Sequence, residues 1–273
     1  MQIAFAVALL LYILSAAAYC AYLFLQRDVL QKLGGILLLS GFFAHTVALG
    51  WAFIVTGHVP ANNLHETLSL VAWSIAGTYL VLGIKFRLKI LGVYVAPLTV
   101  LILLAAIQFP RELVQPENML QGVWLTSHII TIFLGYAAFV LAAGVGMLYL
   151  IQERHIKSKT RGFFFKRLPS LDFLDTTGYA CIVFGFTMIT IGLITGMVYA
   201  KILWGRFWAW DPKEVWSAVV WIFYAILLHE RLAVGWRGRK TAIMAIAGLG
   251  VLLFTFLGVN FLLKGHHGQF TQW

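Results

Sequence analysis

Residues 126–151 read TSHIITIFLGYAAFVLAAGVGMLYLI, a stretch without a single Asp, Glu, Lys or Arg. A helix of about 20 apolar residues is long enough to cross the roughly 30 Å hydrocarbon core of a bilayer. Within that core only helices and closed barrels satisfy all of their backbone polar groups. The stretch is continuously apolar rather than alternating, which is typical of a helix and not of a barrel strand. It therefore predicts a transmembrane helix.

Similar apolar runs account for most of the remaining chain. Hydrophobic residues make up 61% of the 273 residues and charged residues only 11%, whereas soluble domains contain about 25% charged residues. This composition excludes a soluble domain and a disordered chain. We expect an all-α polytopic membrane protein with about eight transmembrane helices, forming one domain over residues 1–273. The seven further runs lie at about 3–25, 33–56, 67–84, 90–107, 175–200, 213–230 and 242–263.

The distribution of positive charge predicts the orientation of these helices. The chain has 20 Lys and Arg residues against 10 Asp and Glu residues, a formal net charge of +10. Of the basic residues, 15 lie in the loops that follow the first, third, fifth and seventh runs. Cytoplasmic loops collect Lys and Arg, so these four loops are expected inside and both termini on the outer, non-cytoplasmic side. The excess charge is thus topological, and we expect no nucleic-acid partner.

The segment at about 204–217 reads WGRFWAWDPKEVWS and holds four of the ten Trp residues. Asp211, Pro212 and Glu214 have the spacing of a helix start, with an N-cap, a proline at N1 and a glutamate at N3. The Trp cluster is therefore expected on the outer side, just before the seventh helix. Beside Arg206 and Lys213 it could form a flat aromatic platform for a planar ligand that carries carboxylates. The alternative is a belt of interfacial Trp residues, which are common at membrane surfaces.

Four histidines occupy positions where they could serve as ligands. His128 lies at the outer start of the fifth run, and His266 lies just beyond the outer end of the eighth. His45 and His229 lie within the second and seventh runs, where an ionisable side chain marks a functional site by default. Imidazole is a usual axial ligand of haem iron, so two pairs of histidines could hold haem at two depths. A histidine at a helix end can also be a simple capping residue.

The Trp-rich segment at about 204–217 resembles the signature of a known protein family. The stretch WGRFWAWDPKEVWS closely resembles the tryptophan-rich WWD signature of the haem-handling cytochrome c assembly proteins. Trp221, Tyr224 and the Leu227-Leu228-His229 stretch are similar to the helix that follows this signature in the family. The tail from Asn260 to His266 is similar to its C-terminal ending. The eight predicted spans and the loop at 60–66 resemble the CcsA (ResC) branch.

This resemblance implies roles for the four histidines, with haem b as the bound substrate. His128 and His266 would ligate haem iron on the outer face, and His45 and His229 would ligate or receive haem within the membrane. His267 follows directly, where the family more often has a small polar residue, so either of the adjacent histidines could be the outer ligand; we favour His266. The resemblance also implies a haem-contacting segment comprising Trp204, Trp208, Trp210, Trp216, Arg206 and Asp211.

The resemblance further implies partners and a location. A CcsB (ResB)-type membrane protein, apocytochrome c and thiol-reducing proteins would act with the chain, as part of a holocytochrome c synthase. The chain itself has two distant cysteines, Cys20 and Cys181, and no Cys-x-x-Cys motif. Whether it catalyses thioether formation on its own stays open. The expected location is the bacterial inner (cytoplasmic) membrane, with the thylakoid membrane as the other possibility.

Three alternative functions remain at the level of sequence. The first is CcmC-like delivery of haem to a haem chaperone, without synthase activity. The second is a di-haem b-type electron-transfer protein, although that class needs paired histidines at matched depths on adjacent spans. The third is a transporter whose Trp residues are interfacial anchors. Signatures of ATP hydrolysis and of covalently attached c-type haem are missing from the chain.

Overall fold

The computed structural model describes residues 2–57, 59–86, 90–110, 122–159, 162–163 and 165–262. These residues form long helices joined by short connections. The helices are α1 (Gln2–Leu25), α2 (Asp28–Thr56), α3 (Leu64–Lys85), α4 (Gly92–Ile107), α5 (Val123–Lys157), α6 (Leu171–Trp204), α7 (Pro212–His229), α8 (Arg239–Leu253) and a short α9 (Val259–Leu262). A π-helical turn continues α7 over Glu230–Val234, and another joins α8 to α9 over Phe254–Gly258.

The expected all-α polytopic membrane fold is confirmed. Among the described residues, seven helices are long and apolar enough to cross a membrane. Helix α4, at the position of the fourth predicted span, is also apolar but has only 16 residues. This corresponds to roughly 24 Å, less than a bilayer core of about 30 Å. The helix begins at Gly92, two residues into the predicted run. The orientation of the termini stays a prediction.

The helices pack in two groups that meet along α3 and α5. Helices α1 to α4 pack on one another, and α5 packs against α3, α6 and α8. The contact between α5 and α6 is close because glycines face each other there: a Cβ on Gly135 would lie 3.1 Å from the carbonyl oxygen of Gly185. Small residues allow membrane helices to approach in this way. Helices α5 and α6 therefore form a rigid pair at the centre of the second group.

Ion pairs tie this second group together at its predicted inner end. Arg231 binds both carboxylate oxygens of Asp175, at 2.9 and 2.7 Å. The backbone N–H of Gly238 donates to the same carboxylate at 2.7 Å. Arg239 pairs with Glu153 at 3.0 Å. These bonds join the ends of α5, α6, α7 and α8. The connection between α6 and α7 lies at the opposite end of these helices.

Candidate functional site

Hydrogen bonds fix both ends of the connection between α6 and α7. Helix α6 stops at Gly205, whose φ of 72° is left-handed and whose carbonyl accepts a 2.7 Å bond from Lys201 Nζ. Helix α7 starts with Asp211, whose side chain accepts from the backbone N–H of Lys213 at 2.9 Å. Glu214 completes a capping box with Asp211. The helix start predicted from the Asp-Pro-x-Glu spacing is thus confirmed.

Glu214 also determines the backbone on both sides of Trp210. Its Oε2 accepts from the N–H of Ala209 at 2.7 Å and from the N–H of Asp211 at 3.3 Å. Between these two anchors Trp210 adopts a φ of 59°. That left-handed conformation is rare for a bulky side chain and costs about 1–3 kcal/mol. The indole is 78% exposed.

A cavity of about 260 Å³ lies beside this connection. Its walls come from α5, α6 and α7, from the loop before α3, and from Thr255 and Phe256 near the C-terminal end of the bundle. The lining is mostly apolar, with a few polar groups, which is typical of a small-molecule site. The cavity brings together four residues singled out from the sequence: His128, Trp204, Trp208 and Lys213.

The imidazole of His128 is oriented by α6. His128 Nδ1 lies 2.7 Å from the carbonyl oxygen of Gly192. A carbonyl only accepts, so Nδ1 carries the proton and the lone pair of the neutral ring is on Nε2. Thr195 Oγ1 donates to the same carbonyl at 3.0 Å. The ring also lies directly on Gly196, where an added Cβ would be 2.6 Å from Nδ1.

The other predicted members of the aromatic platform lie outside the cavity. Trp210 is perpendicular to Trp208, with an interplanar angle of 89° and ring centroids 5.9 Å apart. Trp216 packs on Phe254 at 4.5 Å, and Arg206 is exposed. This differs from the flat platform that we expected, because Trp210 stands perpendicular to Trp208 and does not line the cavity.

Asp211 is buried, with 3% of its surface exposed. Its carboxylate caps α7 rather than lining the cavity. The sequence reasoning grouped Asp211 with the haem-contacting residues because it belongs to the signature. In the structure its visible role is to start α7 and thereby to set the position of Lys213 and Glu214.

The two histidines of the predicted membrane pair lie in different groups of helices. His45 is fully buried, and its Nε2 lies 2.9 Å from Ser69 Oγ on α3. The rings of Phe5 and Tyr12 on α1 contact it edge-on, with centroids at 5.9 and 6.0 Å. His229 is exposed at the end of α7. The described contacts of His45 therefore come from α1 and α3, while α7 packs on α6 and α8. His266 and His267 lie outside the described residues.

Several polar residues of the cavity were not predicted. Tyr136 lies two helical turns beyond His128 on the same face of α5 and hydrogen-bonds Ser217 of α7. The helical repeat from His128 could have identified Tyr136. Asn62 and Thr67 line the cavity from the loop before α3 and from its first turn, and nothing in local sequence spacing signals that contact.

The fold and the cavity define a polytopic membrane protein with a histidine and two tryptophans at one end of its second helix group. The family model described as Cytochrome C assembly protein matches residues 61–267. Cytochrome c biogenesis protein CcsA of Chlamydomonas reinhardtii is 36% identical over 219 residues, or 78% of this chain. The protein of the same name from Prochlorococcus marinus (strain MIT 9301) is 35% identical over 245 residues and 81% of this chain. The chain belongs to the cytochrome c assembly protein family, among its CcsA-type members, and has a role in cytochrome c maturation.

The matches cover unequal shares of these proteins. The alignment spans 61% of the Chlamydomonas protein and 79% of the Prochlorococcus protein. Among solved structures, Cytochrome c Heme Lyase CcmF superposes with a TM-score of 0.65 at 16% identity, over 97% of this chain and 47% of CcmF. At that identity the likeness to CcmF is one of fold alone, and this chain corresponds to about half of CcmF.

Proposed function

We propose that the chain holds haem b at this cavity, through His128 and His266, so that haem can be attached to apocytochrome c. The observation that carries the proposal is the orientation of His128. Its Nδ1–H is bound to the Gly192 carbonyl, in a cavity that also contains Trp204 and Trp208. A ring nitrogen that donates to a carbonyl fixes the tautomer and raises the basicity of the other nitrogen, which is how histidine ligands of metals are usually supported.

The cavity residues suit the rest of the macrocycle. The indoles of Trp204 and Trp208 supply aromatic surface, and the ammonium of Lys213 supplies a charge-assisted partner for a propionate. Of the two basic residues predicted for that role, we assign it to Lys213, since Lys213 lines the cavity and Arg206 is exposed. The cavity of about 260 Å³ is below the roughly 300–1,000 Å³ of most ligand pockets. A cavity of this size would leave one edge of a haem outside, within reach of a second protein.

The attachment step needs little from this chain beyond positioning. The S–H of a thiol adds across the C=C of a vinyl group: the C–S bond forms, the hydrogen goes to the neighbouring vinyl carbon, and no net electrons are exchanged. The thiols come from the Cys-x-x-Cys-His segment of apocytochrome c and must be reduced. Cys20 is exposed on α1 and Cys181 is buried on α6. We therefore assign thiol reduction to partner proteins, and propose a CcsB (ResB)-type protein as the other part of the synthase.

We retain His45 and His229 as proposed haem contacts within the membrane. Among the described residues, His45 Nδ1 is buried without a hydrogen-bond partner, which leaves one ring nitrogen for a ligand or a water. The contacts of the two histidines come from different helices, which favours successive contacts with haem over a single shared position. The membrane we propose is the bacterial inner membrane or the thylakoid membrane, in line with cyanobacterial and algal relatives.

Haem content of the purified full chain, with its partner, tests the outer site. We expect His128→Ala and His266→Ala each to lower the haem content and change the absorption spectrum, and added imidazole to restore the spectrum. His155→Ala is the matched control, because His155 lies at the opposite end of α5. Unchanged haem content and spectrum in both the His128→Ala and the His266→Ala variants would contradict the axial assignment. Co-purification with a haem chaperone in place of a CcsB-type protein would favour the delivery alternative.

A further inference from the structure

His45 is a titratable side chain in the middle of a membrane span. It lies well inside α2 and is fully buried, and an ionisable residue in such a place marks a functional site by default. Its Nε2 lies 2.9 Å from Ser69 Oγ on α3. Among the described residues its Nδ1 has no hydrogen-bond partner. Because a neutral imidazole has one donor nitrogen and one acceptor nitrogen, this Nδ1 is able to receive or release a proton.

Tyr12 on α1 provides a second polar atom of the same kind beside the imidazole. The ring of Tyr12 contacts the ring of His45, with centroids 6.0 Å apart and an interplanar angle of 72°. Tyr12 is fully buried, and within the described part of the chain its Oη also lacks a hydrogen-bond partner. Burying two polar atoms is costly unless each is hydrogen-bonded. A water molecule both donates and accepts, so one water is able to satisfy the pair.

Ser69 connects His45 to the end of the bundle that carries the cavity. His65 and Ser69 lie one helical turn apart on the same face of α3, where such side chains are neighbours. His65 is the second residue of α3, with 9% of its surface exposed. Its Nδ1 donates to the carbonyl oxygen of Ala106 at 2.8 Å, so its Nε2 is the nitrogen that accepts a proton. Polar side chains therefore continue from the middle of α1 to the start of α3.

We propose that Tyr12, His45, Ser69 and His65 form a proton-transfer chain, with a bound water molecule between Tyr12 Oη and His45 Nδ1. A proton that the water gives to Nδ1 is matched by the proton that leaves Nε2 for Ser69 Oγ, and Ser69 passes its own hydrogen towards His65. The reverse sequence brings a proton inwards. Only O–H and N–H bonds form and break, and no electrons are exchanged.

This inference goes beyond the proposed function. It concerns the chain with no haem at His45, and it does not involve the cavity beside α6 and α7. Its physical basis is that an imidazole has two nitrogens, which lets it take a proton on one side and release one on the other. Without such a chain, a histidine buried at this depth exchanges no proton with solvent.

Exchange of the His45 ring N–H with D2O tests the chain. The full-length protein, purified without haem and labelled with 15N only at histidine, is transferred to D2O, and the loss of each ring N–H signal is followed by NMR. The His45 signal is assigned by its absence in His45→Gln. Ser69→Ala interrupts the chain next to the imidazole. Ser15→Ala is the matched control, because Ser15 is also buried in α1 to α4 but donates to the carbonyl of Gly34 at 2.8 Å.

We expect the His45 N–H to exchange in the unsubstituted chain. Exchange should be about tenfold slower in Ser69→Ala, as expected for the loss of one hydrogen bond, and unaltered in Ser15→Ala. A His45 N–H that does not exchange in the unsubstituted chain overturns the proposal, and so does equal exchange in Ser69→Ala. Because no haem is present, these results do not depend on whether His128 holds haem, and haem content of His128→Ala tests that separately.

The melting temperature of Tyr12→Phe in detergent tests the bound water. Tyr19→Phe is the reference, since Tyr19 Oη lies 3.1 Å from Tyr79 Oη and its removal breaks a hydrogen bond. If water bonds the Tyr12 hydroxyl, Tyr12→Phe lowers the melting temperature as Tyr19→Phe does. Removing a hydroxyl that has no partner at all leaves stability unchanged or raises it. An unchanged or raised melting temperature in Tyr12→Phe therefore overturns the proposal.

Discussion

Replacing Gly196 with alanine should displace the imidazole of His128, the proposed iron ligand, without a substitution at His128 itself. The new Cβ would lie 2.6 Å from His128 Nδ1 and 2.8 Å from Cε1, well inside ordinary contact, which begins at 3.4 Å. The ring must therefore move by about 0.8 Å to restore normal van der Waals separation. Helix α6 packs closely on α5 at Gly185, where an added Cβ would lie 3.1 Å from the Gly135 carbonyl oxygen, so we expect the ring rather than the helix to move. A shift of this size lengthens the 2.7 Å bond to the Gly192 carbonyl to at most about 3.5 Å, which weakens it.

The weakening of that bond and the crowding together predict about 2 kcal/mol of weaker haem binding. This corresponds to roughly thirtyfold in affinity, within the 10–100-fold that such supporting contacts usually contribute to metal binding. Haem titration of the purified chain, followed by absorption, measures the change. Gly250→Ala on α8 is the control, since a Cβ there meets nothing within 4 Å. A folded Gly196→Ala protein with unaltered haem affinity and spectrum would refute the reasoning.

Three further substitutions have outcomes that the structure determines. Asp211→Ala removes the N-cap of α7 and should lower the free energy of unfolding by about 1 kcal/mol, measured by thermal unfolding in detergent; no change in melting temperature would count against the cap. Lys213→Gln should weaken haem binding more than Arg206→Gln does, because only the former side chain lines the cavity; the reverse order in haem titrations would reassign the propionate partner. Asp175→Asn removes the carboxylate that pairs with Arg231. This pair is largely buried, with 10% of the Arg231 side chain and 11% of the Asp175 side chain exposed. We expect a loss of about 3 kcal/mol in stability, without an effect on the haem spectrum, and an unshifted melting temperature would contradict it.

The sequence correctly predicted those features of the fold that depend on neighbouring residues. The apolar runs predicted the helices because hydrocarbon demands saturated backbone bonding over a fixed length. The Asp-Pro-x-Glu spacing predicted the start of α7 because a cap is built from neighbouring residues. The grouping of His128 with Trp204 and Trp208 followed from placing all three on one side of the membrane, and these three residues do line one cavity.

Features that depend on distant or specific contacts were not predicted. The orientation of Trp210 follows from two hydrogen bonds to one oxygen of Glu214, a geometry that spacing does not encode. Asn62 and Thr67 reach the cavity because α3 packs on α5, a contact between residues far apart in the chain. The length of α4 was overestimated because Ile90 and Leu91 continue its apolar pattern while lying before its first turn.

The walls of the cavity come from widely separated parts of the chain, from Ala61 near the start of α3 to Phe256 beyond α8. During synthesis the aromatic residues at 204–208 are added to the chain well before Phe256, the last residue of the wall. A nascent chain that ends before Phe256 therefore has no enclosed site in which to retain a flat apolar ligand. At the proposed haem site, haem would therefore be retained only after the complete bundle has been inserted.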